Sequence, residues 1–322
     1  MTGIVAVTGA SGFVGRALCS EVVRRGLKVR GITRLPSHMP PGVENVSVGN
    51  VNGDTDWGHA LAGCDVVIHL AARVHIMNDT SNDPLAEFRW VNTQGSAKLA
   101  HDALAAGVRR LVNVSSIGVN GPSTEGERQF TDEDIPDPHN PYSVSKWEAE
   151  QALQQIAADS RIEVVTVRPP LIYGPGVRGN FLRLLGAVDR GIPLPLGLTR
   201  NFRDLLFVGN LVDFLIVCAF HPAASGNTYL VSDGTPVSTD TLLKGLARAL
   251  GVQSRLFSVP PFLLQLIGNL TGHRAEFERL LSSLRVNSTK VCKELDWFPP
   301  FTLRQGLQAT ADWYRSERLK SR

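Results

Sequence analysis

The chain has 322 residues, of which 43% are hydrophobic, and carries 33 Lys and Arg against 30 Asp and Glu. This composition is typical of a globular protein with a full hydrophobic core, and it excludes a disordered, collagen-like or coiled-coil chain. The net charge of +3 is small and scattered, so it does not indicate a nucleic-acid-binding surface. The basic residues gathered between 315 and 322 are interpreted as a C-terminal tail.

Short runs of β-branched residues alternate with helical stretches from the beginning of the chain, which is typical of βαβ units and a parallel sheet. The predicted strands cover residues 4–8, 28–33, 45–48, 65–71, 110–115 and 162–167. The predicted helices cover residues 12–25, 57–61, 84–106 and 142–158. We therefore predict an α/β fold, a Rossmann-type doubly wound parallel sheet with a smaller C-terminal lobe.

The composition changes after Pro169, where Pro and Gly become frequent and long periodic stretches are few. Residues 205–220 and 229–232 are expected to return to the sheet, whereas helices at 239–250 and 276–284 are expected to close the lobe. The predicted division is a Rossmann domain of residues 1–170, joined by residues 204–232. The lobe then consists of residues 171–203 and 233–322.

Four cysteines, Cys19, Cys64, Cys218 and Cys292, lie far apart and lack metal-ligand spacing, so we expect reduced core residues and no metal site. The chain enters a strand at once, without the segments of an export signal. Its longest apolar stretch, residues 205–220, is shorter than the ~20 residues that cross a bilayer. These features predict a cytoplasmic protein without membrane insertion.

The first strand is followed by a glycine-rich turn that opens into a helix. Gly9 allows the sharp turn, Gly12 lets a pyrophosphate approach the backbone, and Gly15 lets the helix pack against the strand. The spacing GxxGxxG differs from the commoner GxGxxG, and the alternative is a turn without a ligand. The position between strand and helix favours a dinucleotide site.

The second predicted strand ends at Thr33 and Arg34, where NAD-binding sites commonly carry an acid for the ribose 2′-hydroxyl. A guanidinium there can pair with a 2′-phosphate, so we expect NADP as the cofactor, with NAD as the alternative if Arg34 is only a solvated loop residue.

Ser116 follows a strand end, and 26 residues later the segment Tyr142-Ser143-Val144-Ser145-Lys146 begins a helix. The spacing of four residues places Tyr142 and Lys146 on one helix face. We expect the Lys146 ammonium to lower the pKa of Tyr142, so that the phenol exchanges a proton with a substrate oxygen that Ser116 also binds. A YxxxK pattern alone is more often a helix start with a surface lysine, but the upstream glycine turn favours the catalytic interpretation.

These residues resemble the extended short-chain dehydrogenase/reductases, the NAD-dependent epimerase/dehydratase family, over nearly the whole chain. The matching segments are GASGFVG at 9–15, VIHLAA at 67–72, WVNTQG at 90–95, VSSIGVNG at 114–121, PYSVSK at 141–146 and RPPLIYGPG at 168–176. The resemblance implies hydride transfer at a nucleotide-sugar carbon. It also implies that Tyr142 donates or accepts the proton, Lys146 holds the nicotinamide ribose, and Ser116 orients the carbonyl.

The resemblance implies further cofactor contacts along these segments. The residues concerned are Phe13, Val14, Asn50, Val51, Leu70, Ala71, Ala72, Arg73, Asn92, Pro169 and Leu171. On the substrate side it implies phosphate, nucleobase and sugar contacts from Asn120, Asn180, Phe181, Pro195, Leu196, Arg203 and Arg274. A salt bridge to Asp204 is the alternative role for Arg203.

Three positions depart from the family pattern. Asn120 stands where a Tyr is usual, Leu171 stands where an Asn is common, and the usual downstream phosphate-binding segment is replaced by an apolar stretch that ends near Arg274. We therefore expect an altered sugar pocket.

The chain is most similar to bacterial UDP-sugar enzymes of O-antigen and surface polysaccharide synthesis. Among them it resembles 4-ketoreductases that form UDP-N-acetylquinovosamine from the 4-keto-6-deoxy sugar. Arg34 favours a reductase because a reductase consumes NADPH, and Ile117-Gly118 lacks the added acid and base of a dehydratase. The alternatives are a UDP-glucose or UDP-N-acetylglucosamine 4-epimerase with tightly bound NAD, and a non-catalytic dinucleotide sensor. A homodimer through the helices that begin at Pro84 and Tyr142 is expected, although their alanines could instead pack within one subunit.

Overall fold

A parallel sheet forms the centre of the computed structural model, which describes residues 3–74, 81, 83–197, 199, 201–260 and 281–320. In chain order the strands are β1 Ile4–Thr8, β2 Lys28–Thr33, β3 Val43–Ser47, β4 Cys64–His69, β5 Arg110–Val114, β6 Glu163–Arg168, β7 Leu171–Tyr173, β8 Leu205–Phe207 and β9 Thr228–Leu230. In this part of the chain the central sheet has seven of these strands, in the order β3-β2-β1-β4-β5-β6-β9, and each neighbouring pair is parallel. The predicted Rossmann-type α/β fold is confirmed.

Helices cover both faces of this sheet. Within the described ranges they are α1 Phe13–Arg24, α2 Gly58–Leu61, α3 Pro84–Phe88, α4 Gly95–Ala105, α5 Pro141–Ala158, α6 Gly179–Asp189, α7 Val208–Phe220, α8 Thr239–Ala249, α9 Thr289–Leu295 and α10 Leu303–Lys320. A π-helical segment, Arg89–Gln94, joins α3 to α4, so the single helix predicted for residues 84–106 contains a bulge. Short 3₁₀ turns occupy Ile117–Val119 and Pro222–Ala224.

Side chains alternate between two cores along each strand. Val5 and Val7 of β1 pack into a core that includes residues of α1 and α7, whereas Ala6 packs into a core that includes residues of α4 and α5. Because the sheet is covered on both faces, its strands are almost continuously apolar. The order in which strands are added to the sheet reverses between β1 and β4, because β2 and β3 lie on one side of β1 and the later strands lie on the other. Ligands bind beside such a switch point, at the carboxyl ends of the strands.

Two regions outside the main sheet differ from the expectations. The strand β8, Leu205–Phe207, pairs with β7, Leu171–Tyr173, in a separate two-stranded sheet, so only β9 of the two returning segments joins the main sheet. The basic segment expected as a tail is largely helical, because residues up to Lys320 belong to α10. There Arg315 donates to the Ala249 carbonyl and Arg318 pairs with Asp189.

Cys19, Cys64 and Cys218 are buried thiols, and Cys292 is partly exposed. The described residues contain no cluster of three or more side chains that could hold a metal ion. In the same part of the chain, no helix has both the length and the apolar character required to cross a membrane. Residues 276–280 of the helix expected at 276–284 lie outside the described residues, and of the remaining four only residue 281 is helical.

Candidate active site

A large cavity opens at the carboxyl ends of β1, β4 and β5, with a volume of about 1760 Å³. A site for one drug-sized ligand usually occupies roughly 300–1,000 Å³, so this cavity has room for two ligands side by side. The residues of the glycine turn line it, as do Ser116 and Tyr142. Arg178, Arg203 and Ser282 also belong to its wall.

The glycine turn fits a pyrophosphate because its backbone leaves no room for side chains. Gly9 has φ +68°, and a Cβ there would lie 2.9 Å from the amide nitrogen of Ala71. A Cβ at Gly15 would collide with the carbonyl oxygen of Gly9. Gly12 caps α1 without a side-chain hydrogen bond, so the first-turn amides of Phe13 and Val14 lie beside the cavity, where phosphate oxygens can accept from them.

The segment from Leu70 to Arg73 lines the cavity and is held from both sides. The Thr8 Oγ1 accepts from the amides of Leu70 and Ala71, both at 3.1 Å. The side chain of Asn92 accepts from the Arg73 amide at 2.8 Å and donates to the Arg73 carbonyl at 3.0 Å. Asn92 itself is buried and does not line the cavity, so it supports the wall instead of contacting a ligand directly.

Arg34 is exposed at the end of β2 and lines the same part of the cavity as Asn50 and Val51. Among the described residues of the cavity wall, the only carboxylate is Glu87, and it lies 3.9 Å from the Arg73 guanidinium. No described acid therefore lines this cavity at the end of β2, where an NAD site would use one to bind the ribose diol.

Ser116 and Tyr142 are brought together by two different elements. Ser116 precedes the 3₁₀ turn Ile117–Val119, and its Oγ accepts from the Gly118 amide at 3.1 Å. Tyr142 lies in the first turn of α5, where Asn140 and Ser143 form a capping box. The Ser116 hydroxyl acts on Tyr142 in the direction that lowers the pKa of the phenol, and the ring of Phe88 lies edge-on to Tyr142 with centroids 6.1 Å apart.

The electrostatics of Tyr142 differ from the expectation. Burial raises the pKa of Tyr142 to about 12, and the hydrogen bond with Ser116 only partly opposes this shift. Lys146 is 1% exposed, and burial lowers its pKa to about 8, although the negative charge of Glu150 acts to raise it. The pKa of Tyr142 is therefore raised by burial and not lowered by Lys146 as expected, and Tyr142 is protonated at neutral pH.

Two arginines line the part of the cavity assigned to the substrate. Arg203 donates from Nη1 to the carbonyl and the hydroxyl of Ser282, at 3.1 and 3.2 Å. Its neighbour Asp204 accepts from the Val286 amide at 2.9 Å, and burial raises the pKa of this carboxyl to about 6. Arg178, the residue that precedes α6, also lines the cavity, whereas the residue predicted from the sequence in this region is Asn180.

Several residues predicted to bind substrate lie away from the cavity wall. Asn120 is buried, donates to the Thr131 carbonyl at 2.8 Å and accepts from Arg168 at 3.0 Å. Phe181 is buried and stacks on Tyr173 with centroids 5.5 Å apart, and Leu196 belongs to the core. Asn180 and Pro195 also do not line the cavity, and Arg274 lies outside the described residues. The side chains of Asn120, Phe181 and Leu196 are thus used for packing or for other hydrogen bonds, and the assignment of these residues to the substrate stays a prediction.

Lys146 is buried and does not line the cavity, whereas the remaining predicted cofactor residues do, among them Leu70, Ala71, Ala72, Pro169 and Leu171. The structure adds wall residues that the sequence interpretation did not name. Besides Arg178 these include Trp90, His139 and Ser282. His139 lies three residues before Tyr142, so proximity to the YxxxK motif was a usable signal, whereas no local pattern marks Ser282.

The sheet, the glycine turn and the hydroxyl pair define a nicotinamide-dinucleotide-dependent enzyme of the short-chain dehydrogenase/reductase type. The model of the NAD dependent epimerase/dehydratase family matches residues 5–232, and the chain belongs to this family.

Three similar proteins span almost the whole chain. A UDP-glucose 4-epimerase of Vibrio cholerae is 40% identical over 309 residues, which are 95% of this chain and 94% of that protein. An N-acetyl-alpha-D-glucosaminyl-diphospho-ditrans,octacis-undecaprenol 4-epimerase of Escherichia coli is 27% identical and covers 96% of this chain and 94% of its own. The solved structure of MoeE5 with UDP-glucuronic acid and NAD superposes with a TM-score of 0.78 at 26% identity, covering 98% of this chain and 100% of that one.

Proposed function

We propose that the protein transfers hydride between a nicotinamide and C4 of a UDP-sugar, and that it acts as a 4-ketoreductase. The observation that carries this proposal is that Ser116 and Tyr142 line one cavity together with the glycine turn, Arg178 and Arg203. The family of the chain and the UDP-sugar enzymes among its relatives support the same class of reaction.

The protonated state of Tyr142 favours the reductive direction. A ketone that receives hydride becomes an alkoxide, which needs a proton donor, and a phenol with a pKa of about 12 carries that proton at neutral pH. Ser116 donates a hydrogen bond to the same oxygen and stabilises its developing charge. The dinucleotide, when bound, supplies the hydride.

The chain offers cationic groups to both ligands. Arg34 lies where a 2′-phosphate would be placed, which supports NADPH as the reductant. Arg178 and Arg203 suit the diphosphate of a UDP-sugar because guanidinium groups bind phosphate oxygens through two parallel hydrogen bonds. Ile117 and Gly118, which follow Ser116, offer no acid or base for dehydration, so elimination is not part of the proposal.

The substrate we assign is UDP-2-acetamido-2,6-dideoxy-xylo-hexos-4-ulose, reduced to UDP-N-acetylquinovosamine. The second candidate is a UDP-sugar 4-epimerase that retains NAD, and the relative from Vibrio cholerae, 40% identical, favours it. An epimerase regenerates its nicotinamide in each cycle and has no requirement for a free reductant.

A homodimer through α4 and α5 is part of the proposal. Ala100 and Ala149 are buried within one subunit, so the partner would contact their more exposed neighbours on the same helices. Light scattering measures the mass of the purified protein directly. A monomer would contradict the proposed homodimer.

A panel of UDP-sugars separates the two candidates. The purified protein is incubated with the 4-keto sugar and with UDP-glucose and UDP-N-acetylglucosamine, each with NADPH, with NADH or with no added cofactor. The reductase predicts consumption of NADPH with the 4-keto sugar alone. Interconversion of gluco and galacto sugars without added cofactor would establish the epimerase, and no reaction with any member would contradict both.

A further inference from the structure

A fully buried ion pair lies directly behind the catalytic residues. Arg168, the last residue of β6, and Glu150, in the middle of α5, are 3% and 0% exposed. Arg168 donates from Nε to both Glu150 carboxylate oxygens, at 3.0 and 3.2 Å, and from Nη2 to Oε2 at 2.6 Å. This geometry is the forked arrangement in which an arginine fixes the orientation of its partner.

The same guanidinium reaches a third element. Its Nη1 donates to the Oδ1 of Asn120 at 3.0 Å, and the Asn120 Nδ2 donates to the Thr131 carbonyl at 2.8 Å. The ring of Trp147 lies 5.7 Å from the Arg168 Cζ. One buried side chain therefore joins the helix α5, the turn after Ser116 and the end of β6.

Each element that Arg168 joins carries part of the candidate active site. Glu150 lies one helical turn beyond Lys146 and two turns beyond Tyr142. Asn120 ends the 3₁₀ turn that begins after Ser116, and the carbonyl of Pro169, the residue after Arg168, accepts from the Ile117 amide at 3.0 Å. Pro169 itself lines the cavity.

Stability alone does not explain this pair. Removing two charges from water costs free energy that their attraction often fails to recover, and apolar residues of similar size commonly replace such pairs without loss of stability. Arg168 instead uses its donors to link segments that are distant in sequence, namely residues 120 and 150, which an apolar side chain cannot do.

We infer that Arg168 and Glu150 are positioning residues that hold the Ser116 turn against the Tyr142 helix, so that both hydroxyls address one substrate oxygen. This inference rests on the proposed function, because it assigns the bridge a role in that reaction. A displacement of about 1 Å at a reacting centre can cost roughly 100-fold in rate, which makes such a bridge valuable even without a contribution to folding.

The test uses the double variant R168M/E150M, which removes the bridge without leaving one charge buried and unpaired. Its matched control is R110M/E163M, because Arg110 is also buried and pairs with Glu163 at 2.5 Å, but at the opposite ends of β5 and β6. A second test variant, Asn120→Leu, removes the hydrogen bonds of this side chain with Arg168 and with the Thr131 carbonyl and leaves the ion pair in place.

Two measurements are made on each folded variant. Hydrogen exchange of residues 116–121 reports the position of the turn and needs no substrate. Steady-state kinetics on the UDP-sugar that the wild-type protein converts separate kcat from KM.

The inference predicts faster exchange at 116–121 in R168M/E150M and N120L than in the control. It also predicts a kcat about 10- to 100-fold lower with KM within about threefold of wild type. Glu150→Gln, which keeps an oxygen for Arg168 to bind, should restore most of the turnover. Exchange and kcat equal to those of the control would overturn the inference. If the wild-type protein converts no UDP-sugar, the proposed function fails, and the exchange of N120L and R168M/E150M alone decides whether the bridge holds the turn.

Discussion

Ser116 and Tyr142 line one cavity, and the Ser116 hydroxyl lowers the pKa of the Tyr142 phenol, although the two residues lie on separate elements and 26 positions apart. They meet because the turn after Ser116 packs against the first turn of α5, where a Cβ at Gly118 would lie 3.4 Å from the Cβ of Ser143. The capping box of Asn140 with Ser143 fixes where that helix begins. Two hydroxyls that line one cavity side by side suit a single reacting oxygen.

Tyr142→Phe removes the proton donor and keeps the ring against Phe88. We expect kcat to fall by ~100-fold or more, the usual effect of losing a general acid, with unchanged thermal stability. Assays of NADPH consumption measure kcat. Tyr314→Phe is the matched control, because its hydroxyl lies 3.4 Å from Asp189 on α6 and outside the cavity wall. Equal turnover in the two variants would exclude Tyr142 as the acid.

Arg34→Asp should reverse the preference between the two dinucleotides. The carboxylate repels a 2′-phosphate and accepts hydrogen bonds from a ribose diol, so the NADP/NAD ratio of kcat/KM should fall by ~10-fold or more, as for loss of one charged hydrogen bond. Arg161→Asp makes the same charge change at an exposed position before β6. An unchanged ratio in Arg34→Asp would show that this guanidinium does not contact the phosphate.

Arg178→Ala and Arg203→Ala should weaken the binding of UDP and of the UDP-sugar. Each removes a charged hydrogen-bond donor from the cavity wall, which predicts a Kd for UDP ~10-fold higher or more by calorimetry. Arg248→Ala, in the exposed last turn of α8, serves as the control. The melting temperature of Arg203→Ala is measured as well, because Arg203 also bonds Ser282. UDP affinity equal to that of the control would place the diphosphate elsewhere.

His69 should make the stability of the protein fall in mild acid. Burial lowers the pKa of His69 to about 3, and the Lys146 charge acts in the same direction, whereas an unfolded histidine has a pKa near 6.5. Below pH 6.5 the unfolded chain therefore binds a proton that the folded chain refuses. The contribution of His69 is fully present above pH 6.5 and is lost as the pH falls towards 3, by up to ~1.4 kcal/mol per pH unit.

Urea unfolding at pH 7 and pH 5 checks this expectation. The free energy of unfolding of the wild-type protein should drop by ~2 kcal/mol more than that of His69→Gln, which cannot take up a proton. Parallel pH dependence in the two proteins would contradict the assignment of a neutral buried imidazole.

Local spacing in the sequence was enough to predict the sheet and the catalytic helix. The strands from β1 to β6 and the start of α5 follow from β-branched runs, glycine stops and the Asn-Pro-Tyr segment, which are short-range signals. The bulge at Asn92 was not predictable in this way, because its side chain bonds Arg73 and Ser145 from distant parts of the chain.

How the predicted substrate-side residues are held could not be derived from the sequence, because their contacts are long-range. A motif match placed Asn120 in the sugar pocket, but the guanidinium of Arg168, 48 residues away, holds its amide oxygen. Phe181 similarly packs on Tyr173 instead of facing the cavity. The electrostatic prediction for Tyr142 was wrong in direction because the sequence gives the neighbouring charge but not the extent of burial.

The transfer of hydride to C4 is tested most directly with NADPH that carries deuterium at the transferable position of its nicotinamide. The protein is incubated with this reductant and the 4-keto-6-deoxy UDP-sugar, and the product is examined by proton NMR and mass spectrometry. We predict one deuterium in the product, attached to C4. A reduced sugar without deuterium at C4, or no reduction of the ketone by the wild-type protein, would contradict the account.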